Sequence, residues 1–176
     1  MSNAQTLADQ IKQAGISIGI HTAPYTDYLK TLKSFIKIHA HLSDAEYWTT
    51  LGDIWRDHND TFHTSKLWRQ LFLMPRAGNE LFMHTADDRA FYANLPDQIK
   101  AYRGFGLYNR EGFNYSLNLN VAMRFVAKHA PFGDYDIKIL PKRDCLWVGT
   151  WAEHIIYVPG MGDVQDKVKT WFTKRV

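Results

Sequence analysis

Long hydrophobic runs are missing from this sequence. No apolar stretch reaches the roughly 18 residues of a membrane-crossing helix, so no membrane attachment is expected. Cysteine is nearly absent as well. Cys145 is the single one, so no intramolecular disulfide can form, which favours a reducing compartment. Met1 to Gln5 has neither the basic nor the apolar region of a signal peptide, and the expectation is a cytoplasmic protein. Excess charge is small: the net charge is +3 and the pI near 8.9. The densest basic stretches are Lys142-Arg143 and Lys167, Lys169, Lys174, Arg175, and the second reads as a solvated helix face. No internal repeat, phosphate-binding Gly-rich loop or nucleophile elbow is present. His39 and His41 diverge on a helix, and His58 and His63, near Asp57 and Asp60, lack a recognised ligand spacing, so no metal is expected. Oligomeric state is not legible.

What is present is an ordinary globular composition with many aromatics. Of 176 residues, 45% are hydrophobic, 22% charged and 14% aromatic, which suits one compact domain with a rigid core. Cys145, beside Leu146-Trp147-Val148, reads as a buried, inert thiol. The texture changes near residue 96. Residues 1–95 read as a helical region: a short helix over 3–14 (Leu7, Ile11 and Ala14 on one side), an undecided stretch Gly15 to Ile20, and a helix from Tyr25 to Ala40. Ser43 with Glu46 gives a capping-box signal for a further helix carrying Tyr47, Trp48, Leu51, Ile54 and Trp55. Thr64 or Ser65 starts another, and Thr85 precedes a short one with Asp87 and Asp88 at its start. Residues 96–176 form the second region. Strands are expected over 98–103, 113–116, 136–140, 145–148 and 153–158. A helix over 119–128 is capped by Asn118 or Asn120, and another spans 163–172. Helices first and strands later predict an α+β fold.

Three segments carry chemistry. Tyr102-Arg103-Gly104 ends a strand with a guanidinium suited to a pyrophosphate or ribose, beside a glycine that admits close approach to the main chain. Taken alone, it is a strand with a surface arginine. Tyr115-Ser116-Leu117-Asn118 leads into Val121-Ala122-Met123-Arg124-Phe125, a strand end feeding a helix with a small residue and an aromatic on its inner side. Glu153 opens the apolar run His154-Ile155-Ile156-Tyr157-Val158. Acidic residues suit strand interiors poorly, so one at a strand mouth has a solvent position or a task. Alternation puts Glu153, Ile155 and Tyr157 on one face, and His154, Ile156 and Val158 on the other.

In order and spacing these segments resemble the Arg-Ser-Glu class of ADP-ribosyltransferases, a group with bacterial toxins and phage enzymes among its members. Glu153 to Tyr157 is also similar to the glutamate strand of poly-ADP-ribose polymerases, and Leu95-Pro96-Asp97 to the segment ahead of the arginine strand in phage and bacterial members. The resemblance covers about residues 95–159. It implies an N-terminal helical segment packed on a mixed two-sheet core that binds NAD as co-substrate. Arg103 is then expected to hold the NAD phosphate and the nicotinamide ribose. The main chain of Gly104 takes the nicotinamide amide, and Ser116 keeps Arg103 and Glu153 in register. Glu153 is the catalytic residue, accepting from the ribose 2′-OH beside the cationic sugar. Tyr102, Tyr115 and Phe125 are the candidates to stack on nicotinamide. The implied acceptor is a protein, with nucleic acid as a second option. Members that modify arginine carry Glu or Gln where Trp151 stands, so arginine is not the implied acceptor. A second register puts His154 at the catalytic position, which describes an inactive relative. The alternatives are thus a binding or inhibitory module that keeps this fold without catalysis, and a helical interaction domain of unrelated fold.

Overall fold

The computed structural model describes residues 25–56, 63–82, 85–148 and 154–173. The expected helix over 3–14, the stretch Gly15 to Ile20, His58, Trp151 and Glu153 lie outside them.

Helix α1 (Tyr25–Ile38) buries Leu32, Phe35 and Ile38, which recur at helical spacing. It tightens into a 3-10 turn at His39–His41. The capping box forms as expected: the Ser43 amide donates to Glu46 Oε2 at 2.8 Å, and the Glu46 amide to Ser43 Oγ at 3.3 Å. It opens α2 (Asp44–Arg56), whose inner face carries Tyr47, Trp48, Leu51, Ile54 and Trp55. Helix α3 (Ser65–Phe72) adds Trp68, Leu71 and Phe72. The Thr85 hydroxyl accepts from the Asp88 amide at 3.0 Å and starts α4 (Ala86–Ala93). The Lys142 ammonium donates to the carbonyls of Ala93 and Leu95 just past the end of that helix, where cations are favoured.

Five strands follow: β1 (Gln98–Phe105), β2 (Asn114–Ser116), β3 (Asp134–Pro141), β4 (Cys145–Val148) and β5 (His154–Tyr157). Between β2 and β3 lies α5 (Leu119–Lys128), started by the Asn118 side chain, which accepts from the Asn120 amide at 2.9 Å. Helix α6 (Met161–Thr173) closes the described chain. The fold is α+β, as expected, with a difference in the sheet. The described strands form one sheet in the order β3-β1-β2-β5-β4, antiparallel throughout, where two mixed sheets were implied. The larger core lies at the β4–β5 end of that sheet. Tyr47, Trp48, Leu51, Trp68 and Phe72 from α2 and α3 pack directly on Leu146, Ile156 and Val158 at the β4–β5 end. A smaller core of Ile99, Ala101, Tyr115, Leu140, Cys145 and Ile155, covered by Phe91 and Tyr92 of α4, fills the other face. The larger core therefore takes side chains from both sides of residue 95.

Candidate functional site

Register places the three chemical segments side by side. Tyr102 of β1 lies opposite Ser116 of β2, and Ser116 opposite His154 of β5. Residues directly opposite one another point to the same face. Tyr102, Ser116 and His154 thus form one rung across three neighbouring strands, on the face that α5 covers. Gly104 shares that face. A Cβ there would collide with the Ala122 carbonyl oxygen and the Phe125 side chain, so glycine at 104 lets the α5 backbone approach the strand. The expectation assigned that freedom to a ligand; on the Cβ side it belongs to the helix. Ser116 is 3% exposed, and its Oγ accepts from the Asn118 amide at 3.0 Å, tying the end of β2 to the start of α5. Burial lowers the His154 pKa and favours the neutral imidazole.

Arg103 takes the other face, one residue along from Tyr102. Its guanidinium stands 5.8 Å from the Tyr115 ring centroid. Nε donates to the Arg110 carbonyl at 3.0 Å, Nη1 to the Asn114 carbonyl at 2.5 Å and Nη2 to the Asn109 carbonyl at 2.6 Å. The loop between β1 and β2 is wrapped around this cation. A Cβ on Gly112 would strike the guanidinium, so the loop closes over Arg103 because residue 112 has no side chain. The Asn109 side chain accepts from the Gly106 amide at 2.6 Å, and Arg110 makes a two-bond pair with Asp136, at 3.2 and 3.0 Å. Desolvation lowers the Arg103 pKa, against the opposing pull of Tyr115, Glu111 and Asp136; a guanidinium stays charged regardless. Ser116 was expected to hold Arg103 in register. Its hydroxyl is engaged with Asn118 instead, and alternation turns the two side chains to opposite faces.

β1 and β2 register at Tyr102 and Ser116 and part toward the loop, where a cleft of about 270 Å³ opens. Tyr102, Arg103, Gly104, Tyr115, Ser116 and Phe125 all line it. These are the residues that the resemblance assigned to cofactor binding. Asn109, Glu111, Gly112, Asn114, Lys128, His129 and His154 complete the wall. Sequence reasoning recognised Asn109 and Gly112 only as loop residues and His129 only as a helix end, which it is: His129 is the C-cap of α5. Lys128 and Glu111 carried no signal, because nothing local distinguishes a lysine or glutamate at a cleft rim from one in solvent. The cleft is at the low end of the ~300–1,000 Å³ usual for small-molecule sites. It suits one half of a dinucleotide better than an extended whole.

Cys145 is buried and its thiol is pushed up to about 12 by desolvation, then by Asp144, in keeping with an inert sulfur. Among the described residues no cluster of three metal-ligating side chains occurs, and no helix is long and apolar enough to cross a membrane. The chain matches no family model, and neither curated proteins nor solved structures give a match.

Proposed function

We propose that the protein is an NAD-dependent ADP-ribosyltransferase that cleaves the nicotinamide–ribose bond and passes ADP-ribose to a macromolecular acceptor. The observation that carries this reading is the adjacency of the arginine, serine and glutamate segments in one sheet as β1, β2 and β5, beside a cleft lined by the expected binding residues. Breaking the glycosidic bond builds positive charge on the sugar, and a fixed carboxylate lowers that barrier electrostatically. Glu153 is the residue assigned this task. Ile155 and Tyr157, the alternate positions that follow it in the sequence, share the face of Arg103 and Tyr115. Tyr102 and Phe125 offer ring surface to nicotinamide, and Lys128 a cation to a phosphate.

A second reading rests on a specific observation. The Arg103 guanidinium already donates to three main-chain carbonyls, and the rung facing α5 carries His154 rather than a carboxylate. That arrangement favours a module that binds NAD or a related nucleotide without turning it over. One experiment separates the two. Purified protein is incubated with nicotinamide-labelled NAD, and released nicotinamide is followed beside NAD affinity. The transferase reading expects release that Glu153→Gln abolishes while His154→Gln retains it. Binding without release in the parent protein favours the second reading. No measurable affinity for NAD sinks both.

A further inference from the structure

A second cavity lies on the far side of the Glu111-Gly112 wall. It measures about 220 Å³ and opens where the start of α3 meets the Tyr115 face of the sheet. Three cations converge on it, Lys66 and Arg69 from α3 and Lys138 from β3, against Glu111 as the one acid in its lining. Among the described residues neither Lys66 nor Arg69 is in an ion pair. Arg69 is oriented by one bond, from Nη2 to the Pro159 carbonyl at 3.3 Å. Lys138 is held 5.6 Å from the Tyr115 ring centroid, and the Tyr115 side chain beside it raises its pKa and keeps it charged. Tyr115 and Tyr157 pack edge to face at 5.7 Å and give the cavity an aromatic wall. Glu111, and Asp136 already paired with Arg110, are the acids that face Lys138.

We propose that this cavity binds the phosphate end of a nucleotide, the phosphate among Lys66, Arg69 and Lys138 and the base against Tyr157. Three cations around one opening match the several oxygens of a phosphate better than the two of a carboxylate. The tyrosine wall supplies a stacking surface that a bare inorganic ion does not use. The volume sets the scale at one nucleotide. The phosphate can belong to a free mononucleotide or to the end of a nucleic-acid strand, since the recognising chemistry is the same. Occupancy here is independent of the cleft: nicotinamide release and nucleotide affinity are separate readouts, and either can fail alone.

The test is calorimetric titration of the full chain with AMP, adenosine and inorganic phosphate. AMP is expected to bind more tightly than either fragment. Each charge-assisted bond lost costs about tenfold or more, so the double variant Lys66→Gln/Arg69→Gln is expected to lose at least that. Tyr157→Leu is expected to weaken AMP but not inorganic phosphate. Both variants are checked by circular dichroism, and the exposed Lys66 and Arg69 carry no core contact whose loss would unfold the chain. Lys33→Gln, an exposed lysine of α1 that lines neither cavity, is expected to leave AMP binding unchanged. A short 5′-phosphorylated oligonucleotide and its 5′-hydroxyl counterpart separate the sources: tighter binding of the phosphorylated strand than of AMP, lost in the double variant, assigns a strand end, and AMP alone assigns a free nucleotide. Equal affinity of AMP and adenosine overturns the proposal. So does an unchanged affinity in the double variant, or a loss in Lys33→Gln as large as in the double variant.

Discussion

Arg103 is a half-buried cation whose partners are main-chain carbonyls of the β1–β2 loop and of Asn114 at the start of β2 rather than a carboxylate. Carbonyls satisfy its N–H groups without asking a second charge to leave water, and they fix the loop that rims the cleft. His154 shows the opposite economy of charge, since burial keeps it neutral. Its pKa is lowered from 6.5 by desolvation, and that of His39 by desolvation and then Arg76. A folded pKa below the unfolded one means that the unfolded chain takes up the proton first as the pH falls. The stability these groups contribute is full above about 6.5 and declines below it, through their folded values. The melting temperature is therefore expected to drop between about pH 7 and about pH 5. In His154→Gln the decline should be shallower, with the remainder carried in part by His39. An identical slope in parent and variant would contradict the burial argument.

At the scale of elements, local chemistry wins where a cap or an uninterrupted pattern is present. The bounds of α5 and β4 fall where periodicity puts them, and Ser43 with Glu46 starts α2. Ser43→Ala removes the hydroxyl that accepts from the Glu46 amide and leaves the bond from the Ser43 amide to Glu46 in place. It is expected to cost about 1 kcal/mol, read as a lower urea midpoint at unchanged slope; a midpoint that does not move would mean the box contributes nothing to stability. Elements drift from expectation where a partner decides. β3 begins at Asp134, two residues early, because Tyr135 and Asp134 pair with Gly104 and Phe105 of a strand remote in sequence. β2 is short, Asn114–Ser116; the Phe113 carbonyl before it still accepts from the Tyr157 amide of β5 at 2.9 Å, while its side chain packs in the helical core, edge-on to Phe72 at 5.4 Å.

For the whole molecule, the change of texture near residue 96 marks a change of element type and not a break between cores. Leu146, from β4, is fully buried among aromatics of α2 and α3. Leu146→Ala should cost roughly 2–5 kcal/mol through the cavity it leaves. Helical and near-ultraviolet aromatic signals should then fall together in one transition at lower denaturant. Two resolved transitions, with only the later one shifted, would show that residues 1–95 and 96–176 fold as separate units.

The sequence alone determined the described helices, the caps at Ser43, Thr85 and Asn118, the positions of the strands to within a few residues, and the buried Cys145. Those are short-range matters: capping needs three residues, amphipathic periodicity about a dozen, and alternation tells which neighbours on one strand share a face. Tertiary structure decided the rest. It paired β1 with β2 and β2 with β5, turned Ser116 and Arg103 to opposite faces, gave the arginine to main-chain carbonyls, and joined the described strands in one antiparallel sheet. Register between strands distant in the chain, and the carbonyls a long side chain meets, depend on how remote segments pack, and no local pattern encodes that.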